Sequence, residues 1–391
     1  MKTIWKVLNR MHENCCCGLQ TRSWLLLTIG LALACVFTAR ASLAVQEEGT
    51  GFDKVWSYLT LYENEENTVI QKFALVGRAQ LDSVWIDPED EDAYSDVSWR
   101  RFRFGFKAGL FADWTAHLEA AFDLNGSIDE AYIELTDAYV AWSPDDHLKI
   151  KLLKQSAGFT LDGATSSKKL LTLERNNLTN NLWFTEEYFS GVLASGKFAG
   201  DWRYKASVFS SGGDPEIEWG SAGWFTFWSL GYQLEDAALR FAYVYQDEGE
   251  NANTRDFRQI ASLTAQWQKG SLGIWGDLSG GLAFADHPQS DVWGFVLMPF
   301  YDVTRHTQLV LRYTYLDSRE DNGLRLNRYE NEVVEGRGDR YDEWYAGFNV
   351  FFYGHKLKWQ TGVLWAEMED DPQDGGEYAG WSLITGIRVY W

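Results

Sequence analysis

The sequence predicts an all-β protein: a transmembrane antiparallel β-barrel of about 16 strands with a long, inward-folded third loop. Three observations predict it. Aromatic residues make up 16% of the 391 residues. Apolar and polar side chains alternate along most of the chain, and a period of two is the pattern of a β-strand. Polar connectors, some short and some long, separate the alternating runs, as they do in barrels that cross the outer membrane.

The beginning of the chain has the three-part plan of a secretory signal peptide. A basic stretch precedes the apolar run at 24–37, the small residues Ala39 and Ala41 follow on either side of Arg40, and we expect cleavage after Ala41. All four cysteines lie in the segment to be removed, so no disulfide would support the exported chain. A retained membrane anchor and a lipoprotein signal at Cys35 are the alternatives. The predicted domains are therefore a signal peptide at 1–41, a pre-barrel segment at 42–72 and the barrel at 73–391.

The strand pattern is sharpest at 101–110. There one parity holds apolar side chains such as Phe104 and Phe106, while the other holds Arg103 and Lys107. Similar alternation recurs at 73–85, 115–124, 239–245, 309–315 and 381–391. We count about 16 candidate strands, and counts of about 14 or 18 remain open.

Two architectures accept this pattern, a soluble barrel or sandwich and a membrane barrel. About sixteen strands closed as a soluble barrel would enclose a lumen too wide for side chains to fill. Tryptophan and tyrosine also recur near the strand ends, for example Trp85, Trp142 and Tyr315, where a membrane barrel places its aromatic girdles. The sequence therefore predicts a barrel surrounded by outer-membrane lipid.

Charged residues are divided between the faces and the connectors. The net charge is −21, yet the strand parity predicted to face the lumen holds more basic than acidic residues. The predicted inward basic residues are Arg78, Arg101, Arg103, Lys107, Lys149, Lys151, Arg203, Lys205, Arg240, Arg312, Lys358 and Arg388, and the predicted inward acids are Asp82, Glu119, Asp123, Asp137 and Asp277. A positive lumen concentrates anions. The alternative is a lumen whose cations are neutralised by acids from loops that fold inward.

One connector, at 158–187, is much longer than a typical loop and has no acidic run. Long loops are usually functional or disordered, and the apolar residues of this one require burial. Folded into the lumen, it would form the narrowest point and place Lys168, Lys169 or Arg175 there. The alternative is a loop that lies over the extracellular rim.

Several stretches resemble the phosphate-selective porin O and P family of bacterial outer-membrane proteins. In chain order they are GRAQLD at 77–82, RRFRFGFK at 100–107, DAY at 137–139, SSK at 166–168 with ER at 174–175, LRYTY at 311–315 and GHKLK at 354–358. The resemblance implies a 16-stranded barrel, usually a homotrimer, whose third loop folds inward. It also implies walls rich in arginine and lysine that conduct anions.

Enzymatic motifs are sparse. The sequence has no Walker, dinucleotide or nucleophile-elbow fingerprint and no spaced histidine or cysteine pair typical of metal sites. His117 and Glu119, two residues apart on one strand face, form one candidate acid–base pair. Strong acidity argues against nucleic acid as a partner. We predict neither an enzyme nor a cofactor site.

The predicted function is an outer-membrane porin through which small hydrophilic solutes diffuse passively, with anions such as phosphate preferred. The alternative is a structural or surface-attachment barrel whose loops, or residues 42–72, bind envelope components. A barrel enzyme is the third hypothesis.

Overall fold

The structure, a computed structural model, describes residues 51–391. The predicted signal peptide at 1–41 lies outside these residues, as does the first part of the predicted pre-barrel segment. Among the described residues, no helix is both long enough and apolar enough to cross a membrane.

Sixteen antiparallel strands form a closed barrel. Each strand pairs with its neighbours in the chain, and the last strand closes the ring on the first, as predicted. The elements in chain order are α1 (Gly51–Ser57), β1 (Thr60–Glu63), β2 (Ile70–Pro88), β3 (Tyr94–Leu110), β4 (Trp114–Phe122), β5 (Tyr132–Trp142), β6 (Lys149–Ser156), α2 (Leu161–Ala164), α3 (Asn177–Leu182), β7 (Tyr188–Phe198), β8 (Trp202–Ser210), β9 (Trp224–Gln233), β10 (Ala237–Gln246), β11 (Phe257–Lys269), β12 (Leu272–Ala283), β13 (Val292–Thr304), β14 (Thr307–Ser318), β15 (Leu324–Arg325), β16 (Arg337–Gly338), β17 (Arg340–Tyr353), β18 (Leu357–Glu369) and β19 (Tyr378–Tyr390). The barrel consists of β2–β14 and β17–β19, while β15 and β16 form a separate small hairpin.

The two ends of the barrel differ in the length of their connections. Tight turns join the strands at one end, and Phe111 and Ala112 adopt positive φ in the turn after β3. The loops at the other end are L1 (89–93), L2 (123–131), L3 (157–187), L4 (211–223), L5 (247–256), L6 (284–291), L7 (319–339) and L8 (370–377). Short turns at one end and long loops at the other are typical of outer-membrane barrels.

The strand faces alternate as the sequence predicts. In β3, Phe104 and Phe106 are exposed on the outer face, whereas Arg103, which directly precedes Phe104, is 5% exposed. In β14, Leu311 is 56% exposed and the adjacent Arg312 only 2%. The outer wall is therefore an apolar band, and polar side chains point into the barrel.

A short strand precedes the barrel. β1 pairs antiparallel with the turn-side end of β2, where Tyr62 lies opposite Phe73. The indole Nε1 of Trp56 donates to the carbonyl oxygen of Tyr390 at 2.8 Å. The first barrel strand begins at Ile70, so the last residues of the predicted pre-barrel segment belong to the sheet.

The barrel interior contains an apolar core as well as polar groups. Leu178 and Leu182 of α3 and Phe159 of L3 are almost fully buried, and they belong to one cluster with Phe227 of β9 and Met298 of β13. These inward-facing wall residues bury the apolar side chains of L3, as the sequence of that loop requires. The apolar part of L3 therefore packs against the inner faces of β9 and β13.

Candidate functional site

L3 is held by side chains from widely separated strands. Lys358 of β18 donates to the carbonyl oxygen of Leu170 at 2.6 Å, and Asn349 of β17 donates to that of Leu171 at 3.0 Å. Farther round the wall, the backbone amide of Leu161 donates to Asp277 of β12 at 2.6 Å. A segment bonded to inward-facing side chains on several sides of a closed barrel lies within it.

L7 packs against L3 through asparagine side chains. The Nδ2 atoms of Asn177 and Asn181 both donate to the carbonyl oxygen of Arg325, at 2.9 and 3.0 Å. Asn181 Oδ1 accepts from the amide of Arg325 at 2.8 Å, and Tyr329 donates to Asp82 of β2 at 2.9 Å. L3 and L7 thus form one hydrogen-bonded unit inside the wall.

Part of the predicted pore-lining set anchors these loops. Arg312 donates to Glu343 at 2.8 Å and to Thr172 Oγ1 of L3 at 2.9 Å. The side chain of Lys358 is fully buried against L3. Arg388 is bonded to Asp82 and to the carbonyl oxygen of Leu173. These cations are engaged in buried contacts, because the carbonyl oxygens of L3 and the buried carboxylates of the wall need donors.

Three more predicted residues have similar roles. Arg78 donates to Glu119 at 3.0 Å and to Ser167 of L3 at 2.7 Å. Arg240 donates to the carbonyl oxygen of Thr160. Arg175, itself in L3, pairs with Glu187 at 2.8 Å. For these residues, the interpretation of a neutralised lumen describes the structure better than that of a free positive field.

A cavity of about 760 Å³ opens at the loop side, between L3, L7 and the wall formed by β3–β5. Seven arginines line it: Arg100, Arg101, Arg103, Arg175, Arg255, Arg325 and Arg328. Within residues 51–391, the Arg101 side chain is hydrogen-bonded only to the neutral Gln80, at 3.0 Å. Aromatic residues of L3, including Trp183 and Phe184, line the same space. The cavity therefore offers guanidinium groups beside apolar surface.

Acidic residues of L3 pair with some of these arginines. Glu187 contacts Arg103 at 2.6 Å and Arg175 at 2.8 Å, and Glu174 contacts Arg100 at 2.6 Å. Burial alone would raise the pKa of Glu187, but the guanidinium groups of Arg103 and Arg175 hold it well below its ordinary value. Glu187 is therefore ionised at neutral pH and offsets part of the positive charge at the cavity floor.

A row of cations follows the wall on the turn side. The basic row consists of Lys107, Lys149, Lys151, Arg203 and Lys205, on β3, β6 and β8. Within residues 51–391, none of the five forms a salt bridge. Lys151 Nζ lies 4.0 Å from the ring centroid of Tyr139. The charge of Lys151 is close enough to interact with those of Lys149 and Lys107.

L3 contributes two further lysines. Lys168 Nζ lies 5.2 Å from the centroid of the Tyr390 ring, while Lys169 is exposed. Burial, followed by repulsion from Arg78, lowers the pKa of Lys168 to about 8. Neither lysine has a salt-bridge partner among the residues that the structure describes.

Sequence reasoning missed Arg100, Arg255, Arg325 and Arg328. Arg100 has an outward parity in a regular strand, but the register of β3 against β2 shifts: Gln80 lies opposite Arg101, and Leu81 opposite Trp99. This β-bulge leaves Arg100 without a partner residue, and its side chain reaches Glu174 inside the barrel. The other three lie in L5 and L7, where no periodicity predicts direction. The two consecutive arginines, at 100 and 101, were the one sequence feature that could have indicated this bulge.

His117 and Glu119, the candidate acid–base pair, each contact a different residue and do not contact each other in the described hydrogen bonds. Glu119 pairs with Arg78, while His117 Nδ1 lies 3.3 Å from the hydroxyl of Tyr139. Asp123, predicted to face inward from a strand, lies in L2 just beyond the end of β4. In the described part of the chain, no three acidic, histidine or cysteine residues are grouped to hold a metal ion.

Comparison with solved structures identifies the fold. The anion-selective porin from Comamonas acidovorans matches with a TM-score of 0.59 at 10% identity, over 82% of this chain and 99% of that chain. OmpF of Salmonella typhi, in complex with daunomycin, gives 0.59 at 12%, over 82% and 98%. In-vitro folded OmpT of Vibrio cholerae, in trimer form, gives 0.53 at 14%, over 82% and 99%. At these identities, the likeness shows the fold.

No curated protein sequence matches significantly. The sequence profile of the phosphate-selective porin O and P family matches residues 73–269, just over half of the chain. The match includes β3, the L3 segment and the basic row, and it agrees with the closed sixteen-stranded barrel. The chain therefore belongs to the phosphate-selective porin O and P family of outer-membrane channels.

Proposed function

We propose that this porin conducts small hydrophilic anions, phosphate among them, by passive diffusion. The observation that carries the proposal is the basic row, whose five cations have no salt-bridge partner among residues 51–391. Unpaired cations on a low-dielectric wall raise the local concentration of anions. The arginine-lined cavity on the loop side would collect anions before they pass L3.

The acidity of the chain does not oppose this selectivity. Glu89, Asp90, Glu91 and Asp92 are exposed around L1 at the loop end. Charges in water are screened over about 8 Å at physiological ionic strength. Cations at the narrowest part of the path act on an ion at contact distance, so they outweigh distant acids in the loops.

Two further proposals concern the mature protein. We propose that residues 1–41 are removed during export, which the mass of the mature N-terminal peptide tests. We also propose a homotrimer, supported by the trimer form of OmpT, the structural relative from Vibrio cholerae. Native mass spectrometry of the protein in detergent tests the number of copies.

Reversal potentials in a KCl gradient across a planar bilayer test the anion preference. The wild-type protein should prefer chloride. Lys168→Glu combined with Lys169→Glu should shift the preference toward potassium, because four units of charge change within L3. Neutralising the four acids of L1, Glu89 to Asp92, also changes four units of charge and serves as the matched control; it should change the reversal potential little.

Two results would contradict the proposal. A cation-selective wild-type pore that only the L1 control variant alters would mean that the loop field governs selectivity. The absence of any conductance, in protein whose gel mobility still changes on heating, would favour the surface-attachment hypothesis.

A further inference from the structure

The barrel wall has a seam between β5 and β6, along which the two strands are only partly paired. The two strands pair over only five residues, from Ala138 opposite Lys154 to Trp142 opposite Ile150. The loop-side half of β5, residues 132–137, has no β6 partner. Leu153 has a φ of 82°, a left-handed conformation that is uncommon outside glycine. The chain of β6 therefore leaves β5 directly after Lys154, next to this unusual conformation.

L4 fills this seam. The backbone amide of Leu135 donates to the carbonyl oxygen of Pro215 at 2.8 Å, and Lys154 Nζ donates to the same oxygen at 2.9 Å. Tyr132 donates to Glu216 at 2.6 Å. We name residues 214–217 the strap. One backbone bond and one side-chain bond hold the strap to β5, where a regular strand would form a continuous ladder. Lys154 of β6 adds bonds to the carbonyl oxygens of Asp214 and Pro215.

Glycines flank the strap on both sides. Gly213 has a φ of +65° and Gly220 a φ of +80°, conformations that glycine adopts without steric cost. Segments held by few backbone bonds open at a small fraction of the free energy of global unfolding. The strap can therefore swing while the adjoining strands stay paired.

Different environments lie on the two sides of the strap. Inside, Ile133 and Glu134 of β5 line the arginine-rich cavity. Outside, an apolar groove of about 250 Å³ is lined by Phe106, Leu118 and Leu153, and by Ile217 of the strap itself. The seam thus separates guanidinium groups inside the barrel from an apolar groove on its lipid-facing surface.

We propose that the strap is a lateral gate through which amphiphilic anions, alkyl carboxylates with a medium-length chain, pass from the arginine-lined cavity into the membrane. Two kinds of surface meet along this route. Among residues 51–391, the Arg101 side chain is hydrogen-bonded only to the neutral amide of Gln80, so it is available to a carboxylate. Trp183 and Phe184 of L3, in the same cavity, offer apolar surface to the alkyl chain. The outer groove then receives the chain directly, because it is apolar and opens to lipid. This route goes beyond the axial diffusion of small anions.

A disulfide across the seam tests the gate. All four native cysteines precede residue 36, so Leu135→Cys with Pro215→Cys introduces the pair needed to fix the strap to β5. The matched control is Glu89→Cys with Ala379→Cys, where an amide donates to a carbonyl oxygen at the same 2.8 Å between L1 and β19. Heat-modifiable gel mobility identifies folded variants.

The readout is the initial uptake of radiolabelled dodecanoate by cells that express each variant and lack their own fatty-acid channel. Oxidation should reduce uptake severalfold in the strap variant, a reducing agent should restore it, and the control should not change. Chloride conductance of the purified proteins should be the same in all states, so failure of the gate is distinguishable from failure of the pore. Equal uptake before and after oxidation of the strap variant would overturn the proposal.

A second measurement tests what the groove faces without disturbing the seam. Ile217 is 39% exposed, so Ile217→Cys should tolerate a benzophenone maleimide label. Irradiation in phospholipid vesicles should yield adducts to lipid. Adducts between two copies of the chain would show that a second copy covers the groove, and they would overturn the lateral route.

Discussion

Arg312→Met should destabilise the barrel more than any loss of an exposed lumen cation. The arginine is 2% exposed and donates to Glu343, to Thr172 and to the carbonyl oxygen of Glu174, at 2.8, 2.9 and 3.1 Å. Methionine fills similar volume but leaves the fully buried Glu343 without a cation. Breaking a buried ion pair by removing one partner costs about 3–5 kcal/mol.

Two further variants separate the ion pair from general damage. Arg312→Met with Glu343→Leu removes both charges, and replacing a buried pair by apolar residues is often neutral, so most of the lost stability should return. Lys107→Gln is the matched control on the basic row. Lys107 is exposed and forms no salt bridge among the described residues. The unfolding free energy of the Lys107→Gln protein should therefore stay within about 0.5 kcal/mol of the wild-type value.

Urea unfolding in detergent, followed by tryptophan fluorescence, measures these differences, and gel mobility after heating checks them. Ion selectivity should respond in the opposite way to stability. Lys107→Gln should weaken the chloride preference of the pore, whereas the Arg312 and Glu343 double variant should retain it. If Arg312→Met costs no more than Lys107→Gln, or if the double variant is as unstable as the single one, Arg312 is not an anchor of L3.

Three other predictions address the faces and the loops. Phe104→Arg should cost about 2–4 kcal/mol of unfolding free energy if Phe104 lies near the bilayer midplane; a loss as small as that of Lys107→Gln would contradict a lipid-facing position. Single cysteines along β3 should react with a polar thiol reagent at the Arg103 parity and resist it at the Phe104 parity, and equal labelling of both would contradict the register. Burial raises the pKa of Glu330 in L7 to about 7, so the folded protein retains a proton that the unfolded chain releases, and stability should fall as pH rises from about 4.5 to 7. Glu330→Gln should remove that fall, worth about 3 kcal/mol at pH 8, and parallel unfolding curves against pH for both proteins would contradict it.

The strand architecture could be predicted from the sequence because it depends on a local rule. Side chains of a strand alternate between two faces. Phe104 and Arg103 can therefore be assigned to opposite environments from the local sequence alone. The two environments are lipid and a polar interior, and the contrast repeats through all sixteen strands. That repetition made both the strand count and the orientation of the faces predictable.

The contacts of the inward charges could not be predicted in the same way. Arg312 and Lys107 have the same parity and similar sequence surroundings, yet one is bonded to L3 and the other is exposed. The difference arises from where a loop more than a hundred residues away along the chain lies against β14. The direction of Arg100 could not be predicted for another reason: one extra residue at a bulge reverses the strand parity locally.

The position of L3 determines which charges can act on a permeating ion. L3 lies against one side of the interior, where Arg312, Lys358 and Arg388 donate to its backbone or to carboxylates. Such groups are already compensated, and a passing anion would have to displace a buried partner in order to bind them. On the side that L3 leaves open, Lys107 and Lys205 have no such partner in the described chain. A count of inward charges therefore overestimates the attractive field, and the sign of the selectivity depends on the few cations that the loop does not use.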